Sequence, residues 1–477
     1  GPVTVNVAPS MQFVEQIVFT EVPGASATNT ITINGNGATV SFLSTDIDDR
    51  ATMTLMGTDY MTIDSLNIKS LGTATGEYGM TLRLTDSANY NVIRNCVMTG
   101  DTSSTSSNFG NFALNGVGSN FPTSTSGPSG DYNLIEGNTI IGGYYGLVAT
   151  GQFNDSANGN ILRDNVVRDY RYYGLYAYYN EGMTIEGNDI SRPFRTNLTT
   201  SYGMYIYGFS SGNIVGNKVH DPFGSDPTYN GSAYGMYLSQ LIGSGSSRNL
   251  VANNMIYNFN SGGTIYGFYP SGLSYTDFVH NTLVINDPSS TATGVTRAAY
   301  VLGTIDNTNI QNNLFYLNRG GTGTKHLIYM TGTLSSNSKL DRNSYYGDPS
   351  MTSYEFGYTG TAIPTFGAWQ TATSQDTNSF DINPFLVSPS TGDFTPQSSV
   401  LDGLGANFSA LVPDDITGAT RGTPSDPGAL EFVGEPCTGP EGLATGTVTS
   451  TSAVINWTTN TTAFDVVWGP VGFLQAS

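Results

Sequence analysis

From Ile185 the chain reads IEGNDI (185–190), and the phrase returns as IVGNKV (214–219), VANNMI (251–256), FVHNTL (278–283), IQNNLF (310–315) and LDRNSY (340–345). Upstream it is already present as VIRNCV (92–97), IEGNTI (135–140) and LRDNVV (162–167). Its form is an apolar residue, two variable residues, an Asn, one variable residue and a second apolar residue. The anchors are Asn95, Asn138, Asn165, Asn188, Asn217, Asn254, Asn281, Asn313 and Asn343, at steps of 43, 27, 23, 29, 37, 27, 32 and 30 residues. A fixed phrase with elastic spacing marks a solenoid, in which each turn is one unit and insertions are expelled to the outside.

The phrase has strand spacing. Stacked turns bring the apolar residue three before each Asn onto one line (Val92, Ile135, Leu162, Ile185 and so on) and the one two after it onto another (Val97, Ile140, Val167, Ile190 and so on). The Asn between them tolerates a bend and passes amide hydrogen bonds from coil to coil. Neighbouring parallel strands lie about 4.8 Å apart. The fold class read from this pattern is all-β, a parallel β-helix with an Asn ladder, wound right-handed by the crossover rule. In the earlier coil TLMGTDYMTIDSLNI (54–68), Leu66 stands where later coils have Asn. Residues 100–131, rich in Ser, Thr, Gly and Asn, read as a surface insertion that accounts for the 43-residue step.

Composition limits the partners. With 37 acidic against 17 basic residues the formal charge is −20, which argues against nucleic acid, an anionic membrane surface or a polyanionic glycan held in a basic groove. No cofactor is indicated, and Ca2+ or a neutral glycan is left open. Two Cys in 477 residues make no disulfide framework, and Cys96 reads as an unpaired side chain. No apolar run is long enough for membrane insertion, and residues 1–25 lack the charged start and apolar core of a signal peptide.

Each coil also carries a second strand: YGLYAY (173–178), YGMYIY (202–207), YGMYL (234–238), YGFY (266–269), AAYVL (298–302) and LIYMT (327–331). Period-two alternation puts Tyr176, Tyr205, Tyr237, Tyr269, Tyr300 and Tyr329 outward in one column, and Tyr178 with Tyr207 in another. The expectation is a flat strip of aromatic faces suited to sugar rings or to a partner surface. The plain alternative is that stacked identical residues stabilise the sheet whatever the function.

Chemistry is sparse: three His, no HExxH, GxSxG, Walker or CxxC pattern. The catalytic candidates follow the ladder on consecutive coils: Asp169, Arg192, then His220 and Asp221. Asp169 and Asp221, two coils apart at roughly 10 Å, would suit an inverting glycosidase, and Arg192 between them would neutralise a uronate. A surface ion-pair network is the competing reading. Asp46, Asp48 and Asp49 read as a solvated turn or a weak cation site.

The opening, GPVTVNVAPSMQFVEQIVFTEVPGASATNTITINGNG (1–37), resembles the start of secreted bacterial right-handed parallel β-helix proteins of the pectin-lyase-like kind. In those a short capping segment precedes the GPVT strand, so the resemblance implies a piece of a longer export product. The stretches DINPFLVSPSTGDFTPQSSVLDGLG (381–405) and DDITGATRGTPSDPGALEF (414–432) resemble the closing segment of the same family, with Asn383 and Pro427 departing from its pattern and Arg421 reading as a structural partner of Asp415 or Glu431. Residues 435–477, with Trp457 and WGPVGF (468–473), resemble the start of a fibronectin type III domain of proteins exported by the type IX secretion system. The expected organisation is 1–350 coils, 351–434 closing and capping segment, and 435–477 an incomplete fibronectin type III domain. What this resemblance implies is a β-helix followed by fibronectin-like modules, as in large secreted adhesins and surface filaments, and the acidic, His-poor and Lys-poor composition with no convincing site favours a non-catalytic adhesin or structural component. Its partners would be an extracellular glycan, another surface protein, copies of itself, or the export machinery. A secreted polysaccharide lyase or glycoside hydrolase is the alternative.

Overall fold

The computed structural model describes residues 1–434 and two further strands, Glu441–Val448 and Ala453–Thr458, which pair antiparallel. The remainder of the expected fibronectin type III domain, including the phrase at 468–473, lies outside the described residues. Residues 1–434 hold an all-β parallel solenoid of about twelve turns, with one helix among the described residues. Each turn contributes one strand to each of three sheets. Sheet 1 stacks twelve strands from Val3–Asn6 to Lys339–Asp341, sheet 2 thirteen from Gln12–Val14 to Phe380–Asp381, and sheet 3 thirteen from Ile17–Phe19 to Ala362–Ile363, with Ala157–Asn158 and Thr333–Leu334 paired beside its stack.

Many strands of sheets 1 and 2 are three residues long because only their middle residue faces the core. Leu162, Ile185, Ile214 and Val251 stand in register in sheet 1, and Val167, Ile190, Val219 and Ile256 in sheet 2. All eight are buried. Between the two strands the chain turns on one left-handed residue. Gly137, Asp164, Gly187, Gly216, Asn253, His280 and Asn312 all have positive φ there, the region that Gly, Asn and Asp enter most readily.

The ladder Asn follows that corner. In Asn165 the backbone N–H and Nδ2 both donate to Asn188 Oδ1, at 3.1 and 3.0 Å, while Nδ2 also donates to Ile135 O at 2.9 Å. The same three bonds recur along the column. Burying an amide is tolerated because every donor and acceptor is used.

Asn95 is not a member of this column. It is the left-handed corner residue, with φ 55°, and it is exposed. The ladder position belongs to Cys96, whose N–H donates to Asn138 Oδ1 at 3.0 Å. The phrase VIRNCV is thus shifted by one. Ile93 and Met98 enter the core, whereas Val97, expected there, is 38% exposed. In a strand a one-residue slip exchanges the two faces, and the corner's own preference for Asn imitated the ladder. Leu66, one residue before the Asn67 that pairs with Val97, is buried in the same column.

The insertion expected over 100–131 contains a sheet strand, Phe112–Leu114, seated between Leu82–Leu84 and Leu147–Ala149. Three buried apolar residues in a polar stretch complete that coil. A second polar ladder, not anticipated, lines the corner between sheets 3 and 1. Asn91 N–H donates to Asn133 Oδ1, and Asn133 N–H to Asn160 Oδ1, both at 2.9 Å. Each of these Asn stands two residues before an inward apolar residue, a spacing visible in the sequence.

The last coil is covered by the helix Phe366–Thr373. Its Trp369 is fully buried, with Nε1 donating to Asp376 Oδ2 at 2.8 Å. Residues 383–434 do not lie over that end. They run back along the flank, where Phe394 packs on Tyr257, Ala429 N–H donates to Thr282 Oγ1 at 2.8 Å, and Arg421 bonds both Glu431 and Asn253.

Two measurements follow from the ladder. Asn188→Ala leaves buried partners unpaired on two neighbouring coils, so stability falls by about 1–3 kcal/mol in chemical denaturation, and amide exchange accelerates first between residues 160 and 220. Burial pushes the Cys96 thiol up to about 12, so it resists thiol reagents at neutral pH until the coil opens, and its labelling rate reports local unfolding.

Candidate functional site

The outward surface of sheet 3 is organised by Tyr-Gly pairs. In YGLYAY, Gly174 and Leu175 both turn inward, breaking the alternation. A Cβ on Gly174 would come within 2.5 Å of Ile190 Cγ2 and 2.6 Å of Gly203 O, so a side chain is excluded by sheet 2 packed behind it. The break also points the Tyr before each Gly outward. Three columns therefore result: Tyr145, Tyr173, Tyr202, Tyr234 and Tyr266 in the first, Tyr176 to Tyr329 and on to Tyr358 in the second, and Tyr178 with Tyr207 in the third. The first column was missed because strict period-two reading assigns it inward.

The rings do not present their faces. Tyr176 and Tyr205 are 5.1 Å apart with planes at 5°, and Tyr205 and Tyr237 4.9 Å apart at 4°. Tyr202 and Tyr234 are 4.2 Å apart at 8°. Planes stacked at the coil repeat lie face against face, which covers the ring faces, and burial among neighbouring rings also raises the phenols of Tyr173, Tyr176, Tyr202 and Tyr205. The expectation of a flat platform for sugar rings is corrected accordingly: the residues are outward and half-buried, and they form a comb of stacked phenols at about 5 Å spacing. Edge-to-face contacts such as Tyr173 on Tyr176, at 76°, tie the first two columns together. Phe121 covers the comb's start at Tyr145. Toward the other end the stack loosens, with Tyr237 and Tyr269 at 65° and Tyr300 and Tyr329 at 84°.

The four catalytic candidates are dispersed among structural duties. Asp169 is 5% exposed, and its Oδ1 accepts from the backbone N–H of Phe194 and Arg195 at 2.8 and 3.1 Å. Arg192 is fully buried. Its Nε donates to Pro222 O at 2.6 Å, Nη2 to Thr199 O at 2.9 Å and Nη1 to Arg171 O, and Phe223 lies 4.7 Å beneath the guanidinium. Buried, with each nitrogen already donating to a carbonyl, it presents no open fork to a uronate. Asp221 turns from Asp169 to His220, whose Nδ1 and Nε2 meet Asp221 Oδ2 at 2.6 Å and Asp189 Oδ1 at 3.0 Å, over the ring of Tyr257. Asp189, not singled out in the sequence, is brought in by the sheet 2 register.

Burial alone would lower the His220 pKa, but the hydrogen bonds to Asp189 and Asp221 outweigh it and raise it to about 9. His280 and His326 go the other way, to about 3 and about 4, through burial and the nearby Arg421 and Arg297 respectively. Asp46, Asp48 and Asp49 form an exposed turn, in which Asp46 Oδ1 accepts the Asp48 N–H and Asp49 Oδ1 accepts from Gln16. Among the described residues no three His, Cys, Asp or Glu converge as metal ligands.

No family model and no curated protein matches the chain. Solved structures resemble it. The Dettilon tailspike protein is 12% identical with a TM-score of 0.42, over 74% of this chain and 59% of its own, so the chain spans under two thirds of that protein's length. The periplasmic alginate epimerase AlgG is 14% identical at a TM-score of 0.43, over 75% of this chain and 80% of its own. The pectate lyase Pel9A is 12% identical at 0.38, over 90% and 86%. Likeness of this order says nothing of the chemistry of this chain.

His220 yields a pH prediction. A folded pKa above the unfolded value of about 6.5 means its contribution is whole below that pH and is lost as pH rises through about 9. The ring-proton resonance should titrate near 9, and the parent should lose stability between pH 7 and 10 relative to His220→Gln.

Proposed function

We propose that this chain is a non-catalytic rod of the bacterial cell surface, part of a large secreted protein, that binds an extracellular glycan through the tyrosine comb of sheet 3. In this reading it belongs with the pectin-lyase-like solenoids that precede fibronectin type III modules in type IX export products, as the terminal sequences suggest. Residues 351–434 then form the end cover and flank, and 435–477 begin the next module.

The observation that carries the reading is the comb itself. Two in-register columns of phenols run over successive coils of one face, with the pair Tyr178 and Tyr207 beside them, at the coil repeat of about 4.8 Å. Phenol hydroxyls both donate and accept, as sugar hydroxyls do, and rings already locked by stacking lose little entropy on binding.

A polysaccharide lyase or hydrolase has one observation in its favour, the carboxylates of Asp189 and Asp221 on opposite sides of His220. An acid and base pair needs the space between its carboxyls for substrate and water. That space is filled by an imidazole bonded to both, which favours a structural ion network.

The test is a glycan array and a depolymerisation screen run with the parent and with Tyr176→Phe/Tyr205→Phe/Tyr237→Phe. This variant removes hydroxyls and keeps the ring stack. Binding without turnover in the parent, weakened about tenfold or more in the variant at unchanged melting temperature, is expected from the loss of several hydroxyl bonds at about 0.5–1.5 kcal/mol each. New reducing ends or unsaturated products would overturn the reading.

A further inference from the structure

The tyrosine comb ends in basic side chains that have no acidic partner among the described residues. In register with Tyr234 and Tyr266, the first column continues as Arg297, His326 and Glu355. Beside it lie Arg319 and Lys325, each 1% exposed. Arg319 donates to Thr296 Oγ1 at 2.6 Å and to the carbonyls of Gly263, at 2.9 Å, and Ser261. Lys325 Nζ donates to the carbonyls of Gly321, Gly323 and Thr352 at 2.7, 2.9 and 2.9 Å. Three of the chain's 17 Lys and Arg thus gather where carbonyl oxygens, not carboxylates, receive the buried two.

Arg297 is held differently. Its guanidinium lies 3.6 Å from the ring centre of Tyr329, 4.3 Å from that of Tyr300 and 5.6 Å from that of Tyr266. Its faces are spent on aromatic rings, an arrangement that fixes the plane. Among the described residues none accepts a hydrogen bond from it, and its Nε is covered without a partner. The guanidinium edge, a fork shaped for two oxygens, is unused. His326 adds no charge at neutral pH, because burial and Arg297 lower it to about 4. Burial raises the phenols of Tyr266 and Tyr329, so they stay protonated as donors.

We propose that Arg297, on its bed of Tyr300 and Tyr329, is an oxyanion subsite at the end of the comb that takes a single carboxylate or sulfate substituent of an otherwise neutral glycan. This rests on reading the comb as a glycan strip. The sparse charge follows from the surroundings: a net charge of −20 repels a polyanion, and Glu355 stands in the same column beyond His326.

The experiment is calorimetric titration of the parent, Arg297→Gln and Arg297→Lys with three hexasaccharides: a neutral one, the same carrying one uronic acid, and the same carrying one sulfate ester. Melting temperatures confirm that the variants fold. The parent should prefer a charged ligand by about tenfold or more, and the better of the two identifies the oxyanion. Arg297→Gln should erase the preference while keeping the neutral ligand within about twofold, and Arg297→Lys, lacking the fork, should restore only part of it. Equal binding of neutral and charged ligands by the parent overturns the subsite and leaves the strip standing. If no hexasaccharide binds, the strip reading fails and free glucuronate and sulfate are titrated against the Arg297 Nε–H resonance. A saturable shift absent from Arg297→Gln then sustains the oxyanion site alone, and no shift overturns it.

Discussion

The hydrogen bond from each ladder amide to the next is the constraint on which the solenoid depends. A corner that turns on one left-handed residue exposes a backbone N–H and a carbonyl to a core otherwise built of Ile, Val and Leu. An unpaired group there would cost about 1–3 kcal/mol per coil. Asn supplies a carbonyl for one coil and an amide for the other, so each coil satisfies its neighbour. Insertions between ladders can then vary, because the corner alone holds the register.

That regularity creates the surface as well. Once successive coils are in register, any residue type repeated at one position becomes a column about 4.8 Å apart. Aromatic rings at this spacing fall onto each other's faces, and they do. The stacking that steadies sheet 3 is therefore the same event that takes the ring faces out of solvent. The rigidity that stacking gives these tyrosines is also what the proposed glycan binding would use.

Buried arginines serve as struts for the loops that leave the coils. Arg192, Arg195 and Arg319 end on backbone carbonyls, holding irregular chain against the regular rod. Such residues imitate catalytic ones in a sequence, because a charged residue just after a ladder is expected either way. Asp169 and Arg192 stand on neighbouring coils as the repeat implies, but Asp169 caps the loop after Ser191 and Arg192 ties that loop to the carbonyls of Arg171 and Pro222, along paths no repeat specifies.

Most of the rod was legible in the chain. The apolar, Asn, apolar phrase specifies strand, corner and strand locally, and eight of its nine anchors stand in the ladder because each coil repeats the same short-range physics. The ninth, Asn95, failed because the corner and the ladder both favour Asn and differ by one position. The sequence alone determined the repeat, the core lines and the outward column from Tyr176 to Tyr329. Only the tertiary structure decided that the rings face one another, that Tyr173 joins them, that Asp189 meets His220, and that Arg297 ends the comb without a counter-charge among the described residues. These are relations between residues about 30 positions apart, brought together by stacking and oriented by glycine contacts and loops that no single coil encodes.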